Sequence, residues 1–239
     1  MKINKTLVFR MYAVLIFWTV FFFFAVFVPK RFQYRFLFPI FLNLYLFAAK
    51  IKPVYLGGAD LNSYRGVIFG INHKSFVDSQ MVMSLLKNPF TLVYRREVFK
   101  SPFFRFMAWK VGFIPIERNE TLTSKNAFDS MINKLEKGVS ILYFPEGRHI
   151  VQSHIGKFQK GIAKLAKASD KPVVPIALYG IDDKIRFEKK LIWRKVYIKA
   201  GEPIKYSQYN DDELFTNALK DRIQTMYFEM HEKYNLINY

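Results

Sequence analysis

Val67-Ile68-Phe69-Gly70-Ile71-Asn72-His73-Lys74-Ser75-Phe76-Val77-Asp78 is the stretch on which the fold turns. An apolar run of strand length leads into a polar turn, and a helix-like segment follows. That order predicts a strand-to-helix connection of an α/β protein, where functional groups often gather. The polar part holds a histidine and, five residues on, an aspartate. A neutral imidazole can take a proton near neutral pH, and a carboxylate on its second nitrogen fixes the tautomer and favours the imidazolium. Five residues apart on a regular helix, the two side chains would diverge by about 140°. His73 and Asp78 therefore meet only if a turn lies between them. A structural reading competes: Ser75-x-x-Asp78 also fits a capping box, in which Asp78 would serve the next helix.

Working outward, further strands are predicted at Phe90 to Tyr94, Phe113 to Ile116, Ser140 to Phe144, Val173 to Leu178 and Lys195 to Lys199. Helical spacing recurs at Phe128, Met131, Ile132 and Leu135, with Gly138 as a stop. A short helix is expected around Ile162 to Ala166. A long apolar stripe runs from Leu214 to Tyr227, capped by Asp211 or Asp212. The alternation predicts an α/β domain with a mixed, partly parallel sheet covered by helices. At 239 residues the chain can bury one sizeable core.

There is no cysteine, which excludes disulfides and thiolate metal sites. The formal net charge is +18, so nucleic acid, anionic lipid and acidic substrates are all attracted. The first acidic residue is Asp60, after eight basic ones. Among them lies Met11 to Val28, an uncharged apolar run about 27 Å long as a helix. A second run, Phe36 to Ala49, carries Pro39 and Asn43 and is too short to span a bilayer comfortably. Basic residues flank both ends, so the positive-inside rule selects no crossing direction. A cleaved signal peptide lacks its small-residue cleavage pattern after Val28. A single span is one expectation. The favoured one is a helical hairpin dipping into one leaflet, giving residues 1–52 as an anchoring segment and 53–239 as the α/β domain.

Two other clusters can carry chemistry. Gly112-Phe113-Ile114-Pro115-Ile116-Glu117-Arg118 ends a strand in a guanidinium suited to phosphate. Phe144-Pro145-Glu146-Gly147-Arg148 ends another in a carboxylate, a turn glycine and an arginine. Lys157, Lys160 and Gly161 open a helix whose N-terminus favours an anion.

In order along the chain, Asn72-His73 with Asp78, Gly112 to Arg118, Phe144 to Gly147 and Val174-Pro175-Ile176 resemble the four blocks of the glycerolipid acyltransferase family, the 1-acylglycerol-3-phosphate acyltransferases. The segment Tyr94-Arg95-Arg96 to Phe104 is similar to the link between the first two blocks. The resemblance covers roughly residues 60 to 205. It implies acyl transfer from a thioester, on acyl carrier protein or coenzyme A, to the 2-hydroxyl of lysophosphatidate, with no cofactor and no metal beyond these co-substrates. His73 would be the general base and Asp78 its orienting carboxylate. Arg118, Glu146, Gly147 and Arg148 would hold the acceptor, with Arg95, Arg96, Gly112 and Asn72 nearby, and Pro175 would lie close to the acyl chain. Anionic lipid would be a partner, and the expected place is the cytoplasmic face of a bacterial inner membrane. The chain departs from the pattern after Gly147, where Arg148-His149-Ile150 replace the usual Thr-Arg-Ser. Remodelling acyltransferases of the tafazzin type also carry a basic residue there, so another lysophospholipid acceptor stays open. Nucleic-acid binding would leave the four blocks unexplained and has no recognised motif here. An α/β-hydrolase esterase would need a Gly-x-Ser-x-Gly elbow, which is absent.

Overall fold

The computed structural model describes residues 16, 19–21, 23–25, 27–75, 77–96, 102–116, 125–147, 155–180 and 193–235. Seven strands form one sheet: β1 (Ile51–Gly58), β2 (Ile68–Ile71), β3 (Phe90–Arg95), β4 (Ile114–Ile116), β5 (Ser140–Tyr143), β6 (Val173–Tyr179) and β7 (Arg194–Ala200). Their order across the sheet is β1-β7-β6-β2-β5-β3-β4. β2 runs parallel to β5 and β6, and β3 runs parallel to β5 and β4. Among the seven described strands the β6–β7 pairing alone is antiparallel, and β1 then runs parallel to β7. The expected mixed sheet is present, and all six predicted strands are in it.

β1 is the strand that periodicity does not predict. It carries Lys52, Pro53, Gly57 and Gly58, all weak strand residues. It lies at the sheet edge, where a proline has a side free of ladder bonds.

Helix α1 (Phe38–Ala48) precedes β1. Helix α2 (Asp78–Leu85) links β2 to β3, and α3 (Pro102–Val111) links β3 to β4. Helices α4 (Lys125–Glu136), α5 (Gly161–Ser169) and α6 (Asp212–Asn235) follow. Their buried side chains sort them into two layers. α2 and α3 step outward across the sheet and share one face with α1. The buried Phe38, Leu42, Met81, Ala108 and Val111 form one core there. α4, α5 and α6 cover the other face, where Met131, Ile162, Leu165 and Leu219 pack. Side chains alternate between the two cores along each strand: Phe69 and Ile71 face the first, Ile68 the second.

The chain is helical from Lys30 to Ala48, with an α-turn at Lys30–Phe32 and a π-turn at Gln33–Leu37 before α1. The π-turn has a cause. Pro39 has no N–H to give, and the preceding turn widens so that Phe38 bonds back to Gln33. Gln33 is buried, and its amide donates to the carbonyls of Ala25 and Val28, joining the two arms. Phe21 stacks edge-on against Phe38 at 5.0 Å, and Phe38 meets Phe90 of β3 at 5.0 Å. The second arm is therefore part of the domain's core on one side. The boundary expected at residue 52 falls inside β1. Among the described residues no helix is long and apolar enough to cross a membrane. Half of Met11 to Val28 lies outside the described residues.

Candidate active site

β2 and β5 are neighbours and parallel, so the turns that follow them emerge at the same edge of the sheet. His73 follows β2 and Glu146 follows β5. This is the edge where strands end, the usual place for a site in an open α/β sheet.

Asn72 comes first. Its side-chain NH₂ donates to Leu178 O at 3.0 Å, and its carbonyl oxygen accepts from Leu178 N at 2.7 Å. The amide thus adds one more rung beyond the last β2–β6 pair, Ile71 with Ile176. Its hydrogen bonds hold a strand end rather than a ligand.

α2 begins only at Asp78, so no helix separates His73 from Asp78 and the pair can close. Asp78 is fully buried. Its Oδ2 accepts from His73 Nδ1 at 2.9 Å, from Lys74 N at 2.6 Å and from Ser75 N at 2.8 Å. α2 has Val77 as its N-cap and no side-chain cap bond, so the contact with Ser75 N does not complete the expected capping box; one Asp78 oxygen closes the turn before the helix and fixes the ring. A carboxylate only accepts, so Nδ1 carries the proton and the neutral ring presents its lone pair on Nε2. The ring also stacks on Phe144, with centroids 4.2 Å apart.

Glu146 sits on the turn after β5. Gly147 has φ +68° and its N–H bonds to Phe144 O at 3.1 Å, a geometry that favours glycine. This turn points the Glu146 carboxylate inward. Oε1 accepts from the His73 backbone N–H at 2.9 Å, and Oε2 from Gly156 N–H at 3.1 Å. Glu146 thereby ties the His73 turn to the loop before α5. Burial pushes its pKa up; the two N–H donors, Lys74 and His73 pull it back.

Lys74 is the member of the cluster that sequence reasoning missed. It is 3% exposed, and its ammonium lies 5.5 Å from the centroid of the Tyr227 ring of α6. Burial pulls its pKa down, and Glu146 and Asp78 oppose that. Its place inside the block was the only local signal, because Tyr227 comes from the far end of the chain. The cluster holds a proton acceptor, its orienting carboxylate, a buried strut and a buried cation. It can accept a proton from a hydroxyl group and hold the imidazolium that results.

The other expected site residues divide. Arg95 ends β3 at the same sheet edge, and Arg96 follows it, exposed. Pro175 is buried in β6 opposite Gly70 and accepts from Gly201 N, just beyond the last β6–β7 pair. Gly112 is not brought to His73. It precedes β4, at the edge where the parallel strands begin, and ends α3 in a left-handed turn at φ +94°. Phe113 N there bonds back to Ala108 O at 2.9 Å, closing a Schellman-type stop. In this structure Gly112 ends a helix, away from the His73 edge. Arg118 and Arg148 lie outside the described residues.

Known proteins share the fold that carries these residues. A structure of the 1-acyl-sn-glycerophosphate (LPA) acyltransferase PlsC from Thermotoga maritima superposes with a TM-score of 0.74, at 20% identity, over 95% of both chains. That likeness establishes the fold. The 1-acyl-sn-glycerol-3-phosphate acyltransferase of Salmonella typhimurium is 25% identical over 157 residues, 65% of this chain and 64% of that protein. The enzyme of that name from Borreliella burgdorferi is 25% identical over 188 residues, 76% of this chain and 74% of that protein. A chloroplast relative from Arabidopsis thaliana matches over 32% of its own length, so the matches span from about a third to three-quarters of these relatives. The sequence model of the acyltransferase family matches residues 54–179, more than half of the chain and the span from within β1 to the end of β6 that carries His73, Asp78 and Glu146, and the chain belongs to that family.

Proposed function

We propose that this protein is a membrane-associated acyltransferase that moves a fatty acyl group from a thioester to the 2-hydroxyl of lysophosphatidate, giving phosphatidate. The observation that carries this reading is the His73–Asp78 contact of 2.9 Å at the sheet edge, buttressed by Glu146. The names of the Salmonella and Borreliella relatives support the acceptor. His73 Nε2 takes the hydroxyl proton as the oxygen attacks the thioester carbonyl. The C–O bond forms, the tetrahedral intermediate collapses, and the C–S bond breaks. The imidazolium, held by Asp78, then returns the proton to the leaving thiolate. No acyl group need rest on the protein. Arg95, Arg96, Arg118 and Arg148 are the proposed phosphate and headgroup contacts. The thiol carrier is acyl carrier protein or coenzyme A.

The hairpin supports membrane association. Phe23, Phe27, Phe32, Phe36, Ile40 and Leu44 are all exposed, beside Lys30, Arg31 and Arg35. Such a surface suits in-plane insertion into one leaflet with basic side chains among anionic headgroups, on the cytoplasmic face of a bacterial inner membrane. The test is purified protein with an acyl thioester and a panel of labelled lysophospholipids. Preferential phosphatidate formation supports the reading. The basic Arg148 after Gly147 favours a second acceptor class, and a faster reaction with another headgroup would establish it. Free fatty acid as sole product would sink both.

A further inference from the structure

Helix α3 has one buried side and one exposed side. Ala108 and Val111 are 0% and 1% exposed and belong to the same core as Phe38 and Leu42 of the hairpin arm. Across the helix, Phe106 and Trp109 are 47% and 62% exposed. Their rings lie 5.9 Å apart, and the Lys110 ammonium sits 5.6 Å from one centroid and 5.5 Å from the other. A single exposed aromatic needs no explanation. Two paired rings under one cation form the pattern of a lipid interface, where tryptophan takes the headgroup level and lysine reaches the phosphates. The helix carries Arg105 and Lys110 and no acidic residue.

Its position adds weight. α3 lies in the same layer as the hairpin, and its C-terminal end meets the hairpin's elbow: Lys30 Nζ comes within 3.6 Å of where a Cβ on Gly112 would stand. On the opposite layer, Leu214 and Phe228 are the large apolar side chains exposed among the described residues of α4, α5 and α6. Those two stand fourteen residues apart on α6, whereas the paired rings of α3 continue the layer on which Phe36, Ile40 and Leu44 of the arm are exposed.

We propose that α3 is a second membrane contact, lying in the headgroup plane of an anionic leaflet with Phe106 and Trp109 inserted and Arg105 and Lys110 at the phosphates. This rests on the membrane association argued above and locates a contact on the α/β domain itself. Two contacts, the hairpin and α3, would hold the sheet at a set tilt, so that the His73 edge meets an acceptor still seated in the leaflet.

The experiment uses the full chain with Trp18→Phe and Trp193→Phe, leaving Trp109 as the sole tryptophan. It is mixed with phosphatidylglycerol–phosphatidylcholine vesicles whose acyl chains carry bromine near the headgroup. The expected result is a blue shift and quenching of Trp109 that grows with the anionic fraction. In the otherwise native chain, Trp109→Ser should lower vesicle partition on the order of tenfold. Its melting temperature and its rate on a short-chain, water-soluble acceptor should stay unchanged. Protein that sediments with vesicles while Trp109 stays unquenched overturns this proposal and leaves hairpin anchoring standing. Protein that never sediments with vesicles overturns both.

Discussion

At the scale of single residues, Asp78 shows how one carboxylate serves structure and chemistry together. Three donors converge on Oδ2 in a site closed to water. His73→Ala should lower acyl transfer by roughly 10²–10⁴-fold and leave the melting temperature near its native value, since a positioned base supplies about that factor. Asp78→Asn should lower both. An amide cannot replace a buried carboxylate facing three donors, and bonds to a charged partner are worth about 1.5–3 kcal/mol each. Rate assays with calorimetry on both variants check this. Full activity in Asp78→Asn would remove the orienting role.

Lys74 sets the second expectation at this scale. Burial raises the Glu146 pKa, so protonation of Glu146 is favoured in the folded state. As pH falls through that raised value, the carboxylate gains a proton and one of its two backbone bonds must yield. The clamp on His73 is therefore lost at a higher pH than an ordinary glutamate would allow. The charged groups facing Glu146 are Lys74 and His73, and both oppose this shift. Lys74→Met should move the acid limb of the kcat/KM profile to higher pH, and Lys74→Arg should restore it. Glu146→Gln cannot titrate at that position, so Lys74→Met should leave its profile unmoved. A profile unmoved by Lys74→Met would leave Lys74 only a packing role.

At the scale of elements, the ends of helices were legible because their chemistry is local. Asp211 Oδ1 accepts from Glu213 N at 2.7 Å and Leu214 N at 2.8 Å, as the capping expectation required. Asp211→Ala should cost about 1 kcal/mol, read as a lower midpoint in thermal or urea unfolding. The loss should reach the site weakly, because Tyr227, which covers Lys74, lies several turns further along α6. β1 was not legible: an edge strand is held by pairing with β7, and a window of sequence holding Pro53 and two glycines carries no trace of that partner. The π-turn at Gln33–Leu37 was equally hidden, being an answer to Pro39 and to the buried Gln33 amide.

At the scale of the whole molecule, the N-terminal arm is both core and surface. Phe38, Leu42 and Leu46 are buried with the sheet, and Phe36 and Leu44 face outward at 49% and 56% exposure. Removing residues 1–52 should therefore unfold or aggregate the rest, by opening a core that holds several large side chains and by shortening β1. Phe36→Glu with Leu44→Glu should keep the melting temperature and lose vesicle binding. Sedimentation with vesicles, run beside thermal melts, separates the two effects. A soluble, cooperative fragment beginning at residue 53 would count against the arm's place in the core.

What the sequence determined by itself was whatever depends on near neighbours: six strands from short runs of aliphatic and aromatic residues, the helix stops and caps, and the four ordered blocks that resemble the acyltransferase family. The turn that lets His73 meet Asp78 was also within reach, because their spacing forbids a helix between them. Tertiary structure alone decided the rest. Strand order brings β5 beside β2 and so places Glu146 on the His73 backbone, 73 residues away. The packing of α6 buries Lys74 beneath Tyr227, and the end of α3 claims Gly112 for a helix stop. These are contacts between distant segments, whose free energy depends on burial that no local pattern encodes.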